Sequence, residues 1–190
     1  MAAGITYGEP YEVERELYAV DSGYRSQGGF NLDTDGLEKD SHVPVLCPLH
    51  VDFETRKASV VNNLKVVEKA VSGATSVKIQ KGSFAKTGKF ALSEDVVLTV
   101  TKVDTSNEAY DTLTVAATEA EIPAGSVLYE ADENGKAVRT ANDLNYARTL
   151  VEAGATVTAL YRAYEIKEAD LYIPVTEADK ASLTSRFMFV

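Results

Sequence analysis

The chain has no tryptophan, one cysteine, two histidines and two methionines among its 190 residues. A single cysteine permits no intrachain disulfide, which excludes a secreted disulfide scaffold. The missing tryptophan counts against a sugar-binding module, whose aromatic platforms favour that ring. Apolar runs are short, and none approaches the ~20 residues of a membrane-spanning helix. The opening Met1-Ala-Ala-Gly-Ile-Thr-Tyr-Gly has no basic or apolar leader region, so no signal peptide is expected. Basic residues are the minority charge. Lys and Arg total 19 against 29 Asp and Glu, a net charge of −10. That balance excludes a protein whose main work is gripping phosphate backbones, so no nucleic-acid partner is expected.

What is present is an ordinary globular composition, 45% hydrophobic and 25% charged. The length suits one large domain, or one domain with an appended segment. The first forty residues differ from the rest. Six glycines (Gly4, Gly8, Gly23, Gly28, Gly29 and Gly36) punctuate a polar stretch that holds Tyr7, Tyr11, Tyr18 and Tyr24. From Tyr11 to Val20 polar and apolar residues alternate, with Glu12, Glu14 and Glu16 on one side, the two-residue period of a strand. Residues 1–40 read either as an extended arm that orders against another surface or as an edge strand on the chain's own sheet.

Residues 41–190 read as a β-rich body, with 41–120 and 121–190 as candidate sub-parts. Val43-Pro-Val-Leu-Cys-Pro-Leu-His-Val-Asp52 is apolar, but Pro44 and Pro48 cannot donate to a central ladder, so an edge or crossover is expected. Ala58–Val71 carries a β-branched strand pattern. Ser76–Gln80, Val96–Val103, Thr112–Ala117, Ser126–Ala131, Thr156–Lys167 and Leu171–Val175 are further strands, and Asn142–Glu152 leans the same way. Asn134-Gly135 marks a tight turn. One short helix is expected after Thr176, with Asp179 three residues on completing a capping box. The apolar tail Phe187-Met-Phe-Val190 requires cover from a sheet or a neighbouring subunit. The expected fold is therefore mainly β, a compact barrel or sandwich-like body with an extended N-terminal arm and one short C-terminal helix.

Catalytic and cofactor motifs fail on spacing. Gly82-Ser-Phe-Ala-Lys-Thr-Gly-Lys-Phe90 has five residues between its glycines where a phosphate loop needs four, and Phe90 replaces the magnesium-binding hydroxyl. Asn31-Leu-Asp-Thr-Asp-Gly36 opens like a calcium loop, but its twelfth position is His42. His42, Cys47 and His50 lack a second ligand cluster for zinc. No cofactor or metal is expected. His50 and Asp52 share a strand face and could form an orienting pair, but no nucleophile is marked. Lys69, Lys78, Lys81, Lys86 and Lys89 form a stretch from Lys69 to Ser93 without an acidic residue. It reads as a solvated segment or as a contact patch for an acidic surface, such as the arm of a neighbouring copy.

Several blocks resemble head-fibre and head-decoration proteins of tailed bacteriophages. They are the Val43–Asp52 run with Arg56-Lys-Ala58, Tyr110-Asp-Thr-Leu-Thr-Val115, Ile122-Pro-Ala-Gly-Ser-Val-Leu-Tyr-Glu-Ala131, Ala163–Val175, and the opening Gly4-Ile-Thr-Tyr-Gly-Glu-Pro-Tyr-Glu-Val13. The likeness runs through apolar and turn positions rather than chemical signatures. It implies a structural, non-enzymatic virion protein on the capsid exterior, made in the host cytoplasm, bound to the major capsid shell and self-associated as a homotrimer. Partner contacts would then come from Tyr7, Tyr11, Tyr18 and Tyr24 in the arm, from Lys78, Lys81, Lys86 and Lys89, and from Phe187 and Phe189 in the tail. The long repetitive shaft of an extended fibre is missing, which favours a knob or cementing subunit. A carbohydrate- or cell-surface-binding β module is the alternative, and a hydrolase built on His50 and Asp52 is a third.

Overall fold

The computed structural model describes residues 16–190. Of these, 41% lie in strands or bridges and 9% in helix, so the chain is mainly β. In chain order the strands begin β1 (Tyr24–Arg25), β2 (Phe30–Leu32), β3 (His42–Val43), β4 (Pro48–Asp52) and β5 (Lys57–Val60). Then come β6 (Asn63–Lys65), β7 (Ser76–Gln80), β8 (Gly88–Ser93), β9 (Val96–Asp104), β10 (Tyr110–Val115) and β11 (Val127–Glu130). The last are β12 (Asp143–Asn145), β13 (Thr149–Leu150), β14 (Thr156–Val157), β15 (Ala159–Ile166) and, after helix α1 (Glu177–Leu183), β16 (Phe187–Phe189).

Two sheets carry the fold. Eight strands form the larger in the order β1-β15-β12-β4-β5-β2-β14, with β16 parallel to β15. Six strands form the other in the order β6-β11-β8-β9-β10-β7. This second sheet curls until its two outer strands meet, through the Val66–Ile79 bridge and the bond from Val67 N–H to Lys78 O (3.0 Å). Inside the curl sit Leu64, Ile79, Phe90, Leu113, Ile122 and Leu128, all fully buried. Curling in this way removes the exposed edges that make an open sheet prone to aggregation.

The larger sheet is covered on both faces. Ala159 packs with Phe30, Leu49, Val51 and Val157, whereas its neighbour Leu160 packs with Leu144, Ile166, Leu183 and Phe187. Adjacent strand residues point to opposite faces, so these two clusters lie on opposite sides of the sheet. Helix α1 and the tail close the second side. Phe187 and Phe189 are thus held by β15 of the same chain, and Phe187 is buried.

The chain passes from one sheet to the other at Val61-Asn62. The Ala58–Val71 pattern therefore resolves into β5 and β6 in different sheets. The six-stranded sheet runs from Asn63 to Glu130 as an insertion between β5 and β12, so the body does not divide near residue 120. The Val43–Asp52 run is likewise corrected. β4 lies inside the larger sheet between β12 and β5, because Pro48 occupies its first position. Leu171–Val175 pairs with no strand among the described residues; Leu171, Ile173 and Val175 are buried in alternation along an extended connection. Residues 16–40 are integrated into the body: Leu17 and Tyr18 pack against the α1 side, β1 pairs with β15, and Phe30 in β2 is fully buried.

One polar cluster joins the parts. The Asp179 carboxylate, 2% exposed, completes the α1 capping box with Thr176. It also accepts from Asn63 Nδ2 at 2.8 Å and from Ala141 N–H at 2.8 Å. A residue required locally as a helix cap therefore also ties β6 of the curled sheet to the larger sheet.

Candidate functional site

The residues singled out in the sequence separate in space. Tyr7 and Tyr11 lie outside the described residues. Tyr18 is half-buried beside Tyr146, and burial pushes its phenol upward from its ordinary pKa. Tyr24 stands exposed on β1, its ring 4.2 Å below the Arg162 guanidinium. Arg162 also lies over the ring of exposed Tyr164 at 5.5 Å, and its buried Nε has no hydrogen-bond partner among the described residues. Tyr24, Arg162, Tyr164 and exposed Val20 thus form an aromatic, arginine-centred surface at the outer edge of the larger sheet.

The lysine segment is not a free basic patch. Lys69 pairs with Glu121 at 2.9 Å, Lys78 with Glu68 at 2.5 Å, Lys81 with Asp111 at 2.8 Å and Lys86 with Glu130 at 2.9 Å, while Lys89 pairs with Glu133. Every carboxylate partner comes from outside the segment, so the local charge excess seen in sequence is neutralised by folding. Four of these pairs are solvated and hold neighbouring hairpins together weakly. The Lys81 pair differs, because Asp111 is buried and also accepts from Gly82 N–H at 3.0 Å.

The failed motifs are explained by their surroundings. Gly88 opens β8 rather than a helix, and Phe90 is a core residue. Asp33 accepts from Ser59 Oγ at 3.0 Å, and Asn31 belongs to β2. Cys47 is fully buried, and desolvation pushes its thiol far above its ordinary pKa, whereas His42 and His50 are exposed. Among the described residues no group of three His, Cys, Asp or Glu is placed to hold a metal. Asp52 does not orient His50. Its carboxylate accepts from the Thr55 hydroxyl at 2.6 Å and from the Glu54 and Thr55 amides, which lowers its pKa, and His50 Nδ1 lies 2.9 Å from Thr140 O.

One cavity was not visible in the sequence. It is a groove of about 830 Å³ between the curled sheet and the part of the body around the separate β3–β13 pair. Lys81, Gly82, Ser83 and Phe84 line it from the curled sheet; Glu38, His42, Arg148 and Tyr172 line it from the other side. Gly82, at φ +75°, permits the approach of Tyr172: a Cβ on Gly82 would stand 2.0 Å from the Tyr172 hydroxyl. The Tyr172 backbone is held by Gln80 Nε2, which donates to its carbonyl at 3.2 Å. These residues lie up to 134 positions apart (38 to 172), and only the fold assembles them.

Comparison of the chain with protein-family models, with curated proteins and with solved structures finds no match. No helix among the described residues is long and apolar enough to cross a membrane.

Proposed function

We propose that the chain is a structural subunit that binds the exterior of a tailed-bacteriophage capsid as a decoration or head-fibre knob, assembled as a trimer. The observation that carries this reading is the surface made by Tyr24 on the edge strand β1 with Arg162 and Tyr164 on the adjoining β15. Tyrosine and arginine dominate the energetics of protein interfaces, because they bring large, rigid contact area with a polar tip. Here two rings bracket one guanidinium, so the side chains lose little rotamer freedom on meeting a partner. The partner, the major capsid shell, is read from the resemblance of the sequence blocks to head-fibre proteins.

The test is co-sedimentation with DNA-free heads of the phage that encodes the chain. Removing residues 1–15 spares Leu17, Tyr18 and β1, which belong to the packed body. The full chain is expected to sediment with heads. The truncated chain and a Tyr24→Ala/Tyr164→Ala double variant are expected to bind at least tenfold more weakly with unchanged thermal unfolding. A full chain that stays in the supernatant refutes the reading, as do variants that decorate heads normally. Light scattering reports the assembly, with a mass near three times 20.5 kDa expected.

A further inference from the structure

We propose that the groove lined by Gly82, Arg148 and Tyr172 is a binding site for an oligosaccharide. The inference is independent of shell binding, since it concerns different residues.

Three features of the groove favour a polyhydroxylated ligand. First, Tyr172 is 47% exposed although its hydroxyl is lodged against Gly82 and its backbone is anchored by Gln80. It is a fixed aromatic ring with an open side, the kind of surface on which the C–H face of a pyranose stacks. A tyrosine can do this in a chain without tryptophan. Second, Arg148 and Glu38, side chains of opposite charge, both line the cavity and have no ion-pair partner among the described residues, and His42 lines it too. Adjacent sugar hydroxyls act as donor and acceptor together, so they can satisfy a guanidinium and a carboxylate in one site. A ligand of one charge sign would satisfy only one of the opposed pair. Third, Ser83 Oγ is buried in the groove wall and has no hydrogen-bond partner among the described residues. Buried hydroxyls without a partner are uncommon and call for one.

Volume and access agree with this assignment. A cavity of about 830 Å³ falls in the upper part of the range for small-ligand sites, and a few convergent polar groups within an apolar wall is their usual make-up. An extended peptide would instead seek a free strand edge. On the curled-sheet side β7 has none, since β10 and the Val66–Ile79 bridge occupy both of its edges.

The experiment applies the full-length chain to an array of neutral and acidic hexose and N-acetylhexosamine oligomers, followed by calorimetric titration of the best-retained compound. The expected result is retention of a subset of glycans, with binding weakened at least tenfold by Tyr172→Ala and by Arg148→Ala, and unchanged by Tyr24→Ala. Arg148 is exposed and makes no ion pair among the described residues, so its variant folds even if the Tyr172 variant does not. No retained glycan at millimolar concentration overturns the proposal. So does binding that Tyr24→Ala abolishes and the groove variants leave intact, or binding of acidic peptides in place of every sugar. Shell binding, measured separately, stands or falls on its own.

Discussion

Replacing Asp179 by alanine removes one carboxylate from a position where it serves three parts of the structure. Its Oδ2 accepts from Thr176 N–H at 2.9 Å and Thr176 Oγ1 at 2.8 Å, and from Asn63 Nδ2 at 2.8 Å; its Oδ1 accepts from Ala141 N–H at 2.8 Å. Losing the reciprocal cap costs about 1 kcal/mol. Ala141 is fully buried, so its N–H is left without a partner at a cost of about 1–3 kcal/mol. Asn63 retains its bond to Pro174 O at 2.9 Å, which limits its loss to about 1 kcal/mol. The sum, about 3–5 kcal/mol, is a large share of a typical total stability of about 5–15 kcal/mol. For a chain of this size it corresponds to a fall in Tm of about 6–20 °C. Thr176→Ala is the control, because it disturbs the cap and leaves the bonds to Asn63 and Ala141 in place; about 1 kcal/mol is expected. Urea titrations followed by far-ultraviolet circular dichroism measure both. If Asp179→Ala costs no more than Thr176→Ala, the carboxylate is only a helix cap and the two sheets are joined by other means.

Three further outcomes follow from the same contacts. Gly82→Ala meets both a left-handed backbone and the Tyr172 hydroxyl, so it should destabilise by about 1–2 kcal/mol in thermal unfolding and displace the ring; unaltered stability would contradict the close approach. Lys81→Ala strips the cation from buried Asp111 and should cost about 2 kcal/mol, whereas Lys78→Ala, at a solvated pair, should leave thermal unfolding nearly unchanged; equal costs would contradict the distinction. Acid should destabilise the protein. The carboxyls of Asp52, Asp104 and Asp132 are held below their ordinary pKa, by the Thr55 hydroxyl and amide, by the Ser106 amide and by the Lys136 and Asn134 amides respectively, so their contribution is present above the ordinary carboxylate value and is lost as pH falls through the folded one. Asp143 runs the other way, since burial outweighs its Arg186 partner and raises its pKa, giving a contribution that fades as pH rises. The urea midpoint should therefore fall as pH drops below the ordinary carboxylate range, and Asp132→Asn should flatten that slope; superimposable profiles would refute the assignment.

What the sequence made legible was local. The capping box needs only Thr176 and Asp179 three positions apart, and it forms as read. Ser76–Gln80 is the observed β7, because β-branched alternation between turn residues leaves few other structures. Non-local features were hidden. β8 escaped notice because its Phe90 and Ala91 are both buried, an irregularity that accompanies the register shift between Ala91 and Ser93. The Leu171–Val175 alternation was real but recorded burial rather than pairing. Continuous β-branched sequence concealed the crossing at Val61-Asn62, where the chain changes sheets without a glycine or proline to mark it. The lysine segment misled for a related reason: a window of sequence shows charges, while their partners arrive from elsewhere in the chain.

That last point also bears on how an acidic chain presents itself to a partner. Five of its cations are occupied by carboxylates on the curled sheet, and Arg186 is bound to buried Asp143 at 2.9 Å between β12 and the tail. The arginines left for recognition are therefore few and placed. Arg162 sits between tyrosine rings at the sheet edge, and Arg148 lines the groove. With a net charge of −10 the molecule gains little from long-range attraction to an acidic surface. On the two proposed readings, recognition at both places rests on short-range geometry, ring faces and directed hydrogen bonds, and should weaken only slightly as salt is raised. A steep loss of shell binding between low and physiological ionic strength would mean that the paired lysines, and not the tyrosine–arginine edge, make the contact.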